Sequence, residues 1–195
     1  GVEVGIPNFA NLFMTSPEIN IDPTIAGSVV GTYWFLMMIG RLCGASIGAK
    51  VSSRAMLTVV STVGIVLVLG AIFCADNILV NMPVFKSDIS FGFAQVPINV
   101  MLLILCGLCT SVMWGGIFNL AVEGLGKYTA AASGLFMVMV CGGGILPLIQ
   151  GGVADFAGFL NSYWVIALGL AYILFYAAIG SKNVNTDIPT DDYEA

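Results

Sequence analysis

Residues 97–121 read PINVMLLILCGLCTSVMWGGIFNLA, an apolar run without a single Asp, Glu, Lys or Arg. A bilayer's hydrocarbon core is about 30 Å thick and takes roughly 20 apolar residues at about 1.5 Å of rise each. The run is therefore read as a membrane span. Four further stretches of the same kind lie at 26–48, 55–74, 130–153 and 159–180. The opening stretch, about 1–14, is too short to cross alone. It has no initiator Met, no charged n-region and no cleavage signal, so it is not a signal peptide. It reads as the outer part of a sixth span whose start is trimmed. The expected fold is an all-α membrane protein whose bundle covers 1–180, followed by a polar acidic tail over 181–195.

Composition agrees. The chain is 58% hydrophobic and 9% charged, with net charge −5 and mean hydropathy +1.00. A water-soluble fold does not expose so much apolar surface. No basic run interleaved with aromatics points to nucleic acid. Cys43, Cys74, Cys106, Cys109 and Cys141 sit mostly in apolar spans, as free packing thiols and not as a disulfide framework.

The cations sort by side. Arg41, Lys50, Arg54, Lys127 and Lys182 fall on one side if the spans alternate, and Lys86 falls on the other. The positive-inside rule puts the larger group, and the C-terminus, in the cytoplasm. Loop 75–96 carries Pro83, Lys86 and Asp88 and reads as a solvated external loop, with a short interfacial helix as the alternative.

Spans one to three and four to six repeat one pattern. The first members carry Gly5, Pro7, Asn8, Asn11 and, in the second copy, Gly115, Gly116, Asn119. The second members carry Gly40-Arg41-Leu42-Cys43-Gly44 and Gly142-Gly143-Gly144-Ile145-Leu146-Pro147. Three spans per copy is an odd number, so the second copy is inverted. Inverted repeats with interrupted lead helices point to a secondary transporter with its site at mid-membrane, worked by alternating access. Gly40 and Gly44, in a ladder that continues to Gly48, let helix backbones approach; Gly27 and Gly31 read likewise. Plain packing is the simpler reading of such glycines. A gating role, with helices sliding on smooth faces, is the functional one for Gly40, Gly44 and Gly143. Pro147 should kink its helix.

Polar residues inside spans are expensive, and so mark candidate sites. Glu3 in the frame GVEVGIPNF is the sharpest, as an acceptor for substrate hydroxyls or a proton site. Asn8, Asn11, Ser111 and Asn119 could border the same cavity. Trp114 could cover the C–H face of a sugar ring, although a packing role is as natural. Arg41 is assigned a structural or gating role, snorkelling or paired with a helix C-terminus or an acid. Gln150 and Asp155 read as interfacial.

Enzyme signals fail. Cys106-x-x-Cys109 lies in an apolar helix and the chain has no histidine, so no metal site is expected. Gly142–Gly144 lacks the following Gly-Lys-Ser/Thr of a phosphate loop. Ser133-Gly134 lacks a histidine base. The chain is read as a non-enzyme without a cofactor.

The stretch IFNLAVEGLGKYTAAASGLFMVMVCGGGILPLIQGGVADFAG, residues 117–158, resembles the tenth-to-eleventh helix region of the fucose permease family of the major facilitator superfamily, which includes bacterial glucose/galactose transporters. GVEVGIPNF at the start resembles that family's seventh helix, and TYWFLMMIGRLCGASI, 32–47, its eighth. The resemblance implies the C-terminal six-helix half (a 3+3 inverted repeat) of a twelve-helix transporter, with the first helix truncated and the N-terminal half missing. It implies a monosaccharide substrate of the fucose, glucose or galactose type, moved across the cytoplasmic membrane with protons, whose coupling acids lie chiefly in the other half. The family's aromatic-Pro-Thr in helix ten is replaced here by Trp114-Gly115-Gly116, which leaves the sugar open. Two alternatives stand beside this reading: a major facilitator for another small solute, and a non-transporting half-bundle that assembles with a partner.

Overall fold

The computed structural model describes residues 1–86 and 88–182, so the tail expected over 181–195 lies outside the described residues beyond Lys182. Its helices are α1 (Val2–Thr15), α2 (Pro23–Gly48), α3 (Ser53–Phe73), α4 (Ile98–Thr110), α5 (Met113–Val122), α6 (Thr129–Met139), α7 (Gly142–Ala157) and α8 (Phe159–Phe175), the last extended by a wide turn over Tyr176–Gly180. Among the described residues, five helical stretches are long and apolar enough to cross a membrane: Pro23–Gly48, Ser53–Phe73, Ile98–Val122, Gly126–Ala157 and Phe159–Gly180. The chain is a multi-pass integral membrane protein, and the expected spans are found within a few residues of their ends.

Local chemistry explains those ends. Asp22 caps α2 by accepting from the Thr24 N–H at 2.8 Å, and Pro23 follows at a position whose N–H has no helical partner to lose. That bond holds the Asp22 carboxyl below the usual carboxylate range. Ser52 caps α3 through the Ala55 N–H. Gly158, at φ +92°, separates α7 from α8 in a backbone region that side-chain-bearing residues avoid.

Two spans are not single helices. In the fourth, the i→i−4 ladder runs to the Ser111 N–H on Gly107 and resumes with the Gly116 N–H on Val112. In the fifth, three-residue bonds carry the chain over Val140–Gly144 before α7 begins. The interruption there precedes Pro147, which sits inside a continuous α7. Residues 75–96 contain regular structure where a loop was expected. They hold an antiparallel hairpin of β1 (Leu79–Phe85) and β2 (Phe91–Pro97), with Leu79 opposite Pro97 and Phe85 opposite Phe91. Val80, Met82 and Val84 alternate with outward residues, which is a strand's period of two. Pro83 is tolerated because each strand of a two-stranded sheet is an edge.

The packing follows the repeat. Exchanging the two copies maps the α1–α7 contact onto α4–α2, and α1–α8 onto α4–α3, while α3–α8 maps onto itself. The β-hairpin lies outside this scheme. Lipid provides little hydrophobic drive between helices, so close backbone approach matters. A Cβ on Gly107 would stand 2.6 Å from the Tyr33 carbonyl oxygen; one on Gly40 would collide with Ser111 Oγ, and one on Gly44 with Val112. Gly40 and Gly44 therefore seat α2 on the break of the fourth span. The rest of the ladder does not behave so. Nothing stands within 4 Å of a Cβ on Gly27 or Gly143, and Gly48 meets only the tip of Met56.

Arg54 donates to the Ser181 carbonyl and Asn119 to Ser53 Oγ, which brings the cation-bearing turns after α2, after α5 and after α8 to one end of the bundle. Gln150 corrects another expectation. It is fully buried against α1 and α8, its Nε2 3.4 Å from Ser162 Oγ and its Oε1 without a partner among the described residues. Gly5 leaves room for that amide. Replacing a buried polar group that lacks a partner by an apolar one of similar shape is close to neutral. Gln150→Met is thus expected to unfold at an equal or higher temperature; a loss beyond about 1 kcal/mol would mean that Oε1 has a partner.

Candidate functional site

Three helices meet around one polar cleft of about 450 Å³, lined by Glu3, Arg41, Ser111, Trp114 and Gly115. Glu3 comes from the first turns of α1. Pro7 has no N–H, so the Glu3 carbonyl loses its partner four residues on. The buried Tyr33 hydroxyl of α2 takes that place, donating to the Glu3 carbonyl at 3.0 Å. It also lies 2.9 Å from Thr110 Oγ1 of α4. With its own proton spent on Glu3, the tyrosine oxygen accepts from Thr110. A second tyrosine, Tyr163 of α8, donates to the Ile6 carbonyl at 2.8 Å. The segment of α1 that proline loosens is thereby held from two sides.

The side chains of Glu3 and Arg41 pair across the cleft, Nη2 to Oε1, at 3.4 Å. Arg41 is 58% exposed and Glu3 32%. An exposed pair at that separation contributes about 0–1 kcal/mol, so a polar solute can displace it. Arg41 also lies 3.4 Å from Met37 Sδ, which steadies the side chain along α2. It thus faces an acid inside the candidate site.

Ser111 stands at the break between α4 and α5. Its hydroxyl donates to the Leu108 carbonyl at 2.6 Å, the very carbonyl whose helical donor the break displaces. Trp114 opens α5. Its ring lies parallel to Phe118 at 5.6 Å and edge-on to Phe136 of α6 at 5.8 Å, yet it stays 45% exposed. Gly115 has open space where a side chain would be.

Of the six residues expected to bind substrate, the structure brings Glu3, Ser111 and Trp114 together. Asn8 is exposed and Asn11 half-buried on the open face of α1, outside this cleft. Asn119 lies elsewhere. It lines a second cleft of about 720 Å³ with Ser52, Ser53, Arg54 and Glu123. Five residues separate it from Trp114, about 7.5 Å along a helix. Sequence reading did not find Tyr33 or Thr110. The signal available was Pro7 itself, whose missing N–H requires some outside donor for the Glu3 carbonyl. Among the described residues there is no cluster of side chains able to hold a metal ion.

The arrangement presents one acceptor-rich carboxylate, one donor-rich guanidinium, an apolar ring face and no net charge. That suits a neutral polyhydroxylated solute better than an ion.

Known proteins resemble this chain in sequence. The chain is 29% identical over 184 residues to the glucose/galactose transporters of Brucella abortus biovar 1 strain 9-941 and Brucella abortus strain 2308, a match covering 94% of this chain and 40% of each relative. It is 32% identical over 92 residues to the L-fucose-proton symporter of Escherichia coli K12, covering 47% of this chain and 21% of that protein. The chain therefore spans about two-fifths of the length of the glucose/galactose relatives. No family model matches it, and no solved structure does. The resemblance stated from the sequence, to the fucose permease and glucose/galactose group, is borne out by these relatives.

Proposed function

We propose, taking kinship with the glucose/galactose transporters and the fucose–proton symporter as the premise, that this chain is one six-helix half of a monosaccharide transporter. The observation that carries the reading is the cleft where Glu3, Arg41, Ser111 and Trp114 converge beside a broken span. Glu3 accepts hydrogen bonds from vicinal hydroxyls, and charge-assisted bonds are the stronger kind. Arg41 donates to ring or hydroxyl oxygens, so sugar exchanges one ion pair for two sets of bonds. Trp114 covers the apolar C–H face of the ring. Asn8 and Asn11, on the open face of α1, would meet substrate from the far side of the same pathway. Asn119 would act nearer the cation-bearing end.

Alternating access follows from a second bundle rocking against this one around a shared site. Proton symport is the coupling we propose, with the coupling acids in that second bundle. The cation-bearing end faces the cytoplasm by the positive-inside rule, with the C-terminus on the cytoplasmic side of the cytoplasmic membrane. The runner-up readings remain a major facilitator for another small solute and a half-bundle that assembles without transporting; the neutral charge of the cleft favours a sugar.

The test uses thiol labelling in a twelve-span protein carrying this chain. Gly115→Cys should react with a water-soluble maleimide, and saturating glucose, galactose or fucose should slow that reaction several-fold. Asn119→Cys, in the other cleft, should be slowed less. Protection at Asn119 with none at Gly115 would move the site out of the Glu3–Arg41 cleft.

A further inference from the structure

The β1–β2 hairpin links the ends of two membrane spans, α3 and α4, and its two faces differ. Val80, Met82, Val84, Ala94 and Val96 point inward against the helices. The outward face starts at the base with Leu79, passes a polar pair, Asn81 opposite Gln95, and is apolar again where Pro83 faces Phe93. Ile89, in the turn, is 82% exposed and Phe93 is 78% exposed. A loop standing in water gains nothing from so much exposed apolar surface.

Its position along α2 sets its depth. The Phe85 N–H donates to Thr32 Oγ1 at 2.8 Å, and the Phe85 ring stacks on Phe35 at 4.8 Å. Thr32 lies nine residues into α2 from Pro23, about 14 Å along the axis. α2 is 26 residues long, about 39 Å, against a hydrocarbon core of about 30 Å. With α2 centred on the hydrocarbon, Phe85 beside Thr32 is level with the acyl chains of one leaflet. Lys86, Asp88 and Phe93 line one cleft with Thr24 and Ser28, nearer the end of α2. Asp88 accepts from Ser90 Oγ at 2.6 Å, which holds its carboxyl below the usual range, so it stays charged and seeks the headgroups.

The hairpin also turns away from the candidate sugar site. Thr32, which holds the hairpin, and Arg41, which lines the cleft, are nine residues apart on α2, two and a half turns, and so lie on opposite faces. The face open at Phe93 and Ile89 does not look into the pathway. An apolar strand face at this depth, rimmed by aromatics and a lysine, matches the composition of the membrane–water boundary.

We propose that the β1–β2 hairpin lies in the bilayer, with Pro83, Ile89 and Phe93 against lipid acyl chains at the headgroup boundary and Lys86 and Asp88 among the headgroups. It is a lateral anchor beside α2, independent of what the protein carries.

The test places single nitroxide-labelled cysteines at Asn81, Ile89 and Phe93. The full chain is reconstituted in phosphatidylcholine bilayers, with Cys43, Cys74 and Cys141 replaced by Ser. Collision with oxygen, which concentrates in lipid, is compared with collision with a nickel chelate, which stays in water. Oxygen access should exceed nickel access several-fold at Ile89 and Phe93, and the ratio should fall at Asn81. Nickel access dominating at Ile89 and Phe93 would make the segment a solvated loop. Low access to both reagents there would mean that protein covers the face. Either result overturns the proposal. Ile89 is exposed enough that its label leaves packing intact, so a misfolded Phe93→Cys would not remove the test.

Discussion

Glu3→Gln is expected to weaken monosaccharide binding tenfold or more, about 1.4 kcal/mol. Glutamine keeps the shape and one carbonyl acceptor but loses the charge, and charge-assisted bonds are worth on the order of 1.5–3 kcal/mol each. The substitution also leaves Arg41 without its acid. Arg41 is more than half exposed, so water covers the guanidinium and the helices stay packed. Proton-driven accumulation at saturating sugar should persist, because the coupling acids are proposed to lie in the other bundle. The measurement compares equilibrium binding with counterflow and proton-driven uptake in a twelve-span protein carrying this chain. Normal binding with lost accumulation would make Glu3 a proton site and overturn its assignment to substrate.

Tyr33→Phe should act on stability first. Tyr33 is completely buried, and its hydroxyl is the donor that replaces the one Pro7 lacks. Without it the Glu3 carbonyl has no partner, which costs about 1–3 kcal/mol. Thr110 loses less, since its hydroxyl is also 3.2 Å from the Cys106 carbonyl and 3.3 Å from that of Gly107. Thermal unfolding in detergent should fall accordingly, while Tyr163→Phe should cost less because the Ile6 carbonyl keeps its acceptance within α1. Adding Pro7→Ala to Tyr33→Phe restores the missing N–H and should recover most of the loss. Absence of that recovery would show that the hydroxyl matters for some reason other than the proline vacancy.

The spans were legible because hydrocarbon sets a length, and length survives any ignorance of packing. Their breaks were less so. The fourth was expected to be interrupted around Gly115-Gly116, although its ladder breaks just before, at Ser111–Val112, and the fifth was expected to bend at Pro147 although its irregular turn comes earlier. Glycine tolerates both a helix and its interruption, so composition alone does not choose. The hairpin was hidden because Pro83, Lys86 and Asp88 look like solvent chemistry, while the period-two alternation of Val80, Met82 and Val84 is short. Glu3, Ser111 and Trp114 could be singled out as polar or amphipathic groups in apolar helices. Tyr33 could not, since the need for its hydroxyl arises on another helix. Gln150 looked interfacial because it lies near a span end, yet Gly5 of α1 opens the space that buries it.

The break at Ser111–Val112 has a mechanical meaning. Bending an intact α-helix stretches or severs its own hydrogen bonds, so a rod resists. Here the ladder is already interrupted between Ser111 and Gly116, and the Leu108 carbonyl is held by a side chain that moves with α4. Gly40 and Gly107 clamp that upper rod to α2. The lower rod carries Trp114 and packs on α3 and on α6, the latter a helix with no buried residue. Tilting it sacrifices side-chain contacts but no backbone bonds. The fourth span is thus two rods on one pin: one bolted to the scaffold by close backbone approach, the other joined to it by side chains.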